Sequence, residues 1–178
     1  SAAAAGLGRI GGAEALKALE QMLPAAPDAV RSAVAEGCIL CAEELMNAGK
    51  GEQAAALYDA VRKADVPRPR VLEATRGAVL ARQEAGVPLV VELLRSGEKD
   101  LFNVGLRVAR ELTCSAVTAA VVAELDKAKP YRQAMMLYAL GYRGDAKAAP
   151  AVARFAASDN EDVRIAALSG RPQCGQGA

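Results

Sequence analysis

Apolar residues return every third or fourth position along almost the whole chain, the period of an α-helix with one buried face. Gly and Pro interrupt the pattern at intervals. The pattern predicts helices over 2–9, 13–22, 28–48, 51–64, 68–85, 87–96, 99–112, 115–128, 131–142, 147–157 and 160–169. No segment alternates apolar and polar residues over a strand length between turn signals. "PLVVELL" at 88–94 comes nearest, but a strand would leave Glu92 inside an apolar run. A short helix suits Leu89, Leu93 and Leu94 better. Asp28 and Asp159 stand where helix N-caps are expected, and Pro130 suits a first helical turn. Gly49, Gly86 and Gly144 follow helices, where a left-handed residue is expected.

The helices repeat. "AAGLGRIGG" at 4–12 and "YALGYRGD" at 138–145 share an ending, and Gly8 and Gly141 lie 133 positions apart, four steps of roughly 33. "DAVRSAVAEG" (28–37), "PRVLEATRGA" (69–78), "KDLFNVGLRV" (99–108), "KPYRQAMMLY" (129–138) and "NEDVRIAALS" (160–169) each open a helix with a polar residue or Pro. A small apolar residue follows at Ala33, Ala74, Val104, Ala134 and Ala166, in steps of 41, 30, 30 and 32. A period in the low thirties with two helices per period predicts an all-α solenoid of roughly five helical pairs, a right-handed α-α superhelix. The array is read over 1–171 with its first repeat incomplete, and 172–178 as a flexible tail. Gly141 is expected to let the next helix approach closely.

The stretch "AAPAVARFAASDNEDVRIAALSG", 148–170, resembles the HEAT-like repeat family, in the short bacterial form first associated with phycobilisome lyases. The resemblance lies in Pro150 of the first helix, Asp159 in the turn, and Val163, Arg164, Ala166 and Ala167 opening the second helix. "DAVRSAVAEG" and "PYRQAMMLYALGYRGD" match as well. Residues 50–86 depart from it, being about ten residues longer than a usual repeat. "GEQAAALYDAVRKA" there reads as much like a tetratricopeptide helix. Leu72 and Phe102 stand where the family has Arg, so an Arg–Asp ladder would be broken in the middle. The resemblance implies HEAT-like helical hairpins; lyase activity would rest on the family's name alone.

Composition narrows the chemistry. The 178 residues are 52% hydrophobic and 24% charged, a folded rather than a disordered composition. There is no His, which removes Ser/His/Asp and Cys/His pairs and His-based metal sites. "GLGRIGG" has a glycine-rich look, but no strand precedes it, so it reads as a repeat turn. "CILC" at 38–41 follows ten helical residues, and Cys114 and Cys174 are far off in sequence. It reads as two core thiols rather than a redox pair or zinc site. No cofactor, metal or enzymatic activity is expected. No stretch approaches a membrane span, and no basic start leads into an apolar core. The chain opens inside a helical pattern, so it is expected to belong to a larger protein or to self-associate through open ends. Compartment is left open, with the cytoplasm slightly favoured.

The expected function is a non-catalytic scaffold that takes a protein or peptide on a concave face lined by second helices. The candidate binding residues are Arg70, Arg76, Arg107, Arg132, Tyr138 and Tyr142. Arg suits carboxylates, phosphates and rings. Tyr131, Tyr138 and Tyr142 fall at i, i+7 and i+11, one helical face. Packing with polar tips in water is the competing reading of those tyrosines, and a solvated mixed-charge face that of the arginines. The alternative function is nucleic-acid backbone binding. Against it stand a net charge of +1 and the absence of Trp and His for base stacking.

Overall fold

The computed structural model describes residues 2–10 and 12–169, and among these the only regular structure is helical. The expected tail lies outside them. The α-helices are α1 (Ala2–Ile10), α2 (Gly12–Ala25), α3 (Asp28–Asn47), α4 (Gly51–Lys63), α5 (Arg68–Arg82), α6 (Val87–Arg95), α7 (Lys99–Glu111), α8 (Ser115–Leu125), α9 (Pro130–Arg143), α10 (Ala149–Phe155) and α11 (Glu161–Ser169). Short 3-10 turns cover Gln83–Gly86 and Ala146–Ala148. "PLVVELL" is helical, as its leucines indicate: Val90, Leu93 and Leu94 are buried and Glu92 is exposed. No described helix is long and apolar enough to cross a membrane.

The chain forms two compact units, Ser1–Gly86 and Val87–Ala178. In the first, α3 packs against α1, α2, α4 and α5, and α4 lies along α5. Leu19, Leu57, Val61 and Val79 are fully buried there. Two glycines let α1 and α3 touch backbone to backbone. A Cβ on Gly8 would lie 2.4 Å from the Gly37 carbonyl oxygen, and one on Gly37 would lie 2.4 Å from the Ala4 carbonyl oxygen. Gly77 on α5 is covered by the ring of Tyr58 from α4, with Cε1 2.3 Å from where a Cβ would stand.

In the second unit α6 packs on α7 and α8, and α9 packs on α7, α8 and α11. Its core is built on Phe102, Val108, Leu125, Met136, Leu137 and Leu140. Gly105 brings α7 against α6, where a Cβ would meet that of Leu93 at 2.9 Å.

Several sequence signals act a few places away from where they were expected. Gly49 (φ 72°) and Gly144 (φ 65°) are left-handed helix ends as expected, but Gly86 is not. After α5 the left-handed residue is Gln83 (φ 51°), whose side-chain amide donates back to the Leu80 carbonyl at 2.8 Å. Gly86 serves close packing instead, since a Cβ there would sit 2.6 Å from the Val79 carbonyl oxygen. Pro130 opens α9 as expected. The cap of α11 is Asn160, whose Oδ1 accepts from the Val163 amide at 3.2 Å, rather than Asp159. Asp28 lies inside the first turn of α3 and pairs with Arg31 at 2.7 Å. Of the aligned small residues, Ala74, Ala134 and Ala166 are buried, whereas Ala33 and Val104 are only half-buried. The nearby buried small residues are Ala35, Gly37 and Gly105, so the repeat register slips in those two helices.

Candidate functional site

Each unit holds part of the predicted arginine set, and much of it is taken up by internal bonds. In the first unit Arg70 is half-buried and donates to Glu36 at 2.7 Å and to Glu73 at 2.9 Å. Arg76, on the same helix, is half-buried too. In the second unit Arg132 donates to the carbonyls of Leu94 and Ser96, at 3.2 and 2.6 Å. Its guanidinium carbon stands 4.4 Å from the centre of the Phe102 ring. Arg70 and Arg132 thus tie helices together, whatever else they touch.

The remaining candidates gather on α7 and α9. Tyr131, Tyr138 and Tyr142 are 57%, 45% and 76% exposed, so their shared helical face points to solvent. The guanidinium of Arg110 lies over the Tyr142 ring, 5.6 Å from its centre. Arg107, one turn before Arg110, is exposed and reaches Glu111 at 3.0 Å. On α11, which packs against α9, Ile165 and Leu168 are also exposed. Five of the seven large hydrophobic residues exposed among the described residues are therefore on α9 and α11. Such clustering distinguishes a patch from the single apolar side chains that any surface carries.

Two polar groups escaped the sequence reading. Glu124 ends the apolar α8 yet is buried. Arg95 grips it with two nitrogens, at 2.8 and 2.7 Å, and Lys127 adds a third bond at 3.0 Å. These bonds, those from Arg95 above all, outweigh burial and hold the carboxyl down at about 2. A lone carboxylate in an apolar helix has to be paired, and that was the available signal. Arg143 is the other. Its guanidinium donates to the carbonyls of Ala109, Leu112 and Cys114 and to the Thr118 hydroxyl. The buried Thr118 hydroxyl in turn donates to Asp145 at 2.6 Å. Nothing in the sequence around Arg143 marks it, because its acceptors are mostly main-chain oxygens.

The Glu124 pairing makes a pH signature. Its folded-state value is below its ordinary value of 4.5, so it stabilises fully above that pH and loses its effect as pH falls toward about 2. Allowing for the water that reaches Arg95 and Lys127, the contribution is about 1–2 kcal/mol. Urea unfolding at neutral pH and near pH 2.5 should show Glu124→Gln less stable than wild type at neutral pH, with the gap closing in acid. An equal gap at both pH values would contradict the pairing.

Cys38 and Cys41 are both fully buried, in accord with core thiols. Burial first, then the neighbouring Cys41 and Glu20, pushes the Cys38 thiol up to about 12, so it is not a nucleophile at neutral pH. Among the described residues no three His, Cys, Asp or Glu side chains come together as metal ligands would, and no buried side-chain nitrogen or oxygen lacks a hydrogen-bond partner.

No family model matches the chain, and no curated protein matches it. Among solved structures it is similar to the crystal structure of an engineered protein, at 19% identity and a TM-score of 0.41, over 94% of this chain and 87% of that one. Over its described residues the chain is an all-α protein.

Proposed function

We propose that the chain is a non-catalytic interaction scaffold of HEAT-like helical hairpins, and that a protein or peptide docks on the α7–α9 face of the second unit. The packing order supports the repeat reading. In the first unit α1, α3 and α5 form one row of neighbours and α2 touches α4; in the second, α6 touches α8 while α7, α9 and α11 form the other row. Two rows of alternating helices are the layout of stacked hairpins. The observation that carries the binding surface is the exposed Tyr131, Tyr138 and Tyr142 face beside Arg107 and Arg110. Tyr and Arg are the residues that most often anchor interfaces, giving large contact area with few rotors and a polar tip.

The proposal takes up only part of the sequence expectation. Arg70 and Arg76 belong to the other unit, and the proposal rests on Arg107, Tyr138 and Tyr142 of the original set. The test is affinity capture by wild type against Tyr138→Ser/Tyr142→Ser and Arg107→Glu. These exposed changes should leave the melting temperature nearly unaltered, within about 0.5 kcal/mol of stability. Binding of the captured partner should weaken at least about tenfold, or about 1.4 kcal/mol. Equal binding by all variants would overturn the assignment. Salt-sensitive retention on heparin that survives the tyrosine changes would favour nucleic acid instead.

A further inference from the structure

The second unit also carries a concave feature. The turn after α6 and the turn between α8 and α9 enclose a cleft of about 530 Å³. Arg95, Lys127, Lys129 and Arg132 line it, with Glu124 as the acid among the lining residues. Four cations against one carboxylate leave a formal +3 in one concavity, whereas the whole chain carries +1. A basic protein would show such a cleft by default; a nearly neutral one has to concentrate its charge there.

Three of the four cations are also held in place. Glu124 is buried and uses both oxygens on Arg95 and Lys127, so its charge is spent on fixing those two side chains. Arg95 binds it through Nε and Nη2, and its Nη1 makes no bond among the described residues. Arg132 is fixed by the Leu94 and Ser96 carbonyls on its edge and the Phe102 ring on its face. Carbonyls orient that charge but do not neutralise it. Lys129 is exposed, and its ammonium makes no bond among the described residues. The helix α9 begins at Pro130, between Lys129 and Arg132, and adds its positive end. The volume falls within the range of small-molecule sites.

We propose that this cleft binds a small, multiply charged oxyanion, one bearing phosphate or carboxylate groups, through Lys129, Lys127 and the outward edges of Arg95 and Arg132. Recognition is by charge and N–H donors, those of Arg95, Lys127 and Arg132 preorganised by Glu124 and the Leu94 and Ser96 carbonyls, so little ordering of these three side chains accompanies binding.

The test is calorimetric titration of the whole chain at low ionic strength with inorganic pyrophosphate and, separately, citrate. Saturable binding of one anion per chain is expected. Tighter pyrophosphate binding assigns phosphate chemistry, and tighter citrate binding assigns carboxylate chemistry. Lys129→Glu should weaken the preferred anion at least tenfold, and Lys129→Ala by less. Lys17→Glu, an equal charge change on α2 in the other unit, should leave binding unaltered. Melting curves of the three variants should match wild type, since both lysines are exposed. Absence of saturable binding by either anion overturns the proposal. So does equal weakening by Lys17→Glu and Lys129→Glu, which would mean that only overall charge is sensed.

Discussion

Gly77→Val should lower the unfolding free energy by about 3 kcal/mol, at the upper end of what overpacking costs. The ring of Tyr58 lies where a side chain at 77 would begin, with three ring atoms 2.3 to 2.7 Å from the Cβ position. Tyr58 has little room to retreat, because it is 3% exposed. Gly77→Ala separates two terms. Alanine gains about 1 kcal/mol in helix propensity over glycine, so any net loss reports the displaced ring. Combining Gly77→Ala with Tyr58→Leu removes the ring and should make alanine at 77 favourable. Urea unfolding of wild type, Gly77→Val, Gly77→Ala, Tyr58→Leu and the double variant checks this; a neutral Gly77→Val would mean that α4 and α5 do not meet as described.

Arg143→Met should cost about as much, again about 3 kcal/mol, by a different route. Helix α7 ends at Glu111, and carbonyls at a helix end lack intrahelical partners. Arg143 reaches across from α9 to supply them at Ala109, Leu112 and Cys114 while its Nε donates to Thr118 at 3.1 Å. Methionine fills much of the same volume but leaves those acceptors bare, and each buried, unpaired one costs about 1–3 kcal/mol. Lys should rescue poorly, because an ammonium cannot present the planar fork that serves four acceptors at once. Thermal unfolding of Arg143→Met and Arg143→Lys provides the measurement. A Lys variant as stable as wild type would show that charge alone is needed.

Helices were the legible part of this chain, since burial on one face writes a period of three to four into the residues. Val87–Arg95 and Pro130–Arg143 were read to within a residue or so for that reason. The tyrosine face was legible by the same arithmetic, as spacing alone aligns Tyr131, Tyr138 and Tyr142. What a neighbouring helix does to a residue was not legible. Gly77 and Gly141 look alike in sequence, yet only contact with another helix reveals that Gly77 lies beneath a tyrosine ring. Arginines were hardest. Arg132 and Arg107 both recur on helices with mixed charge, but Arg132 is held by two carbonyls outside its own helix and Arg107 is exposed and pairs with Glu111 on its own helix. Every residue carries a carbonyl, so sequence says nothing about which of them will be left open at a helix end. Gln83 illustrates the same limit for backbone shape: a glycine three places later looked the better left-handed residue.

Within each unit, the main packing partners of a helix are one or two helices away along the chain. Assembly therefore requires the closure of only short loops, whose entropy is small, and the contact order is low. Chains of this kind reach their native contacts in microseconds to milliseconds. The same economy limits cooperativity: a terminal hairpin can open while its neighbours keep their own partners. Amide exchange should thus be graded along the helices, slowest in the first unit at α3, which packs against four other helices.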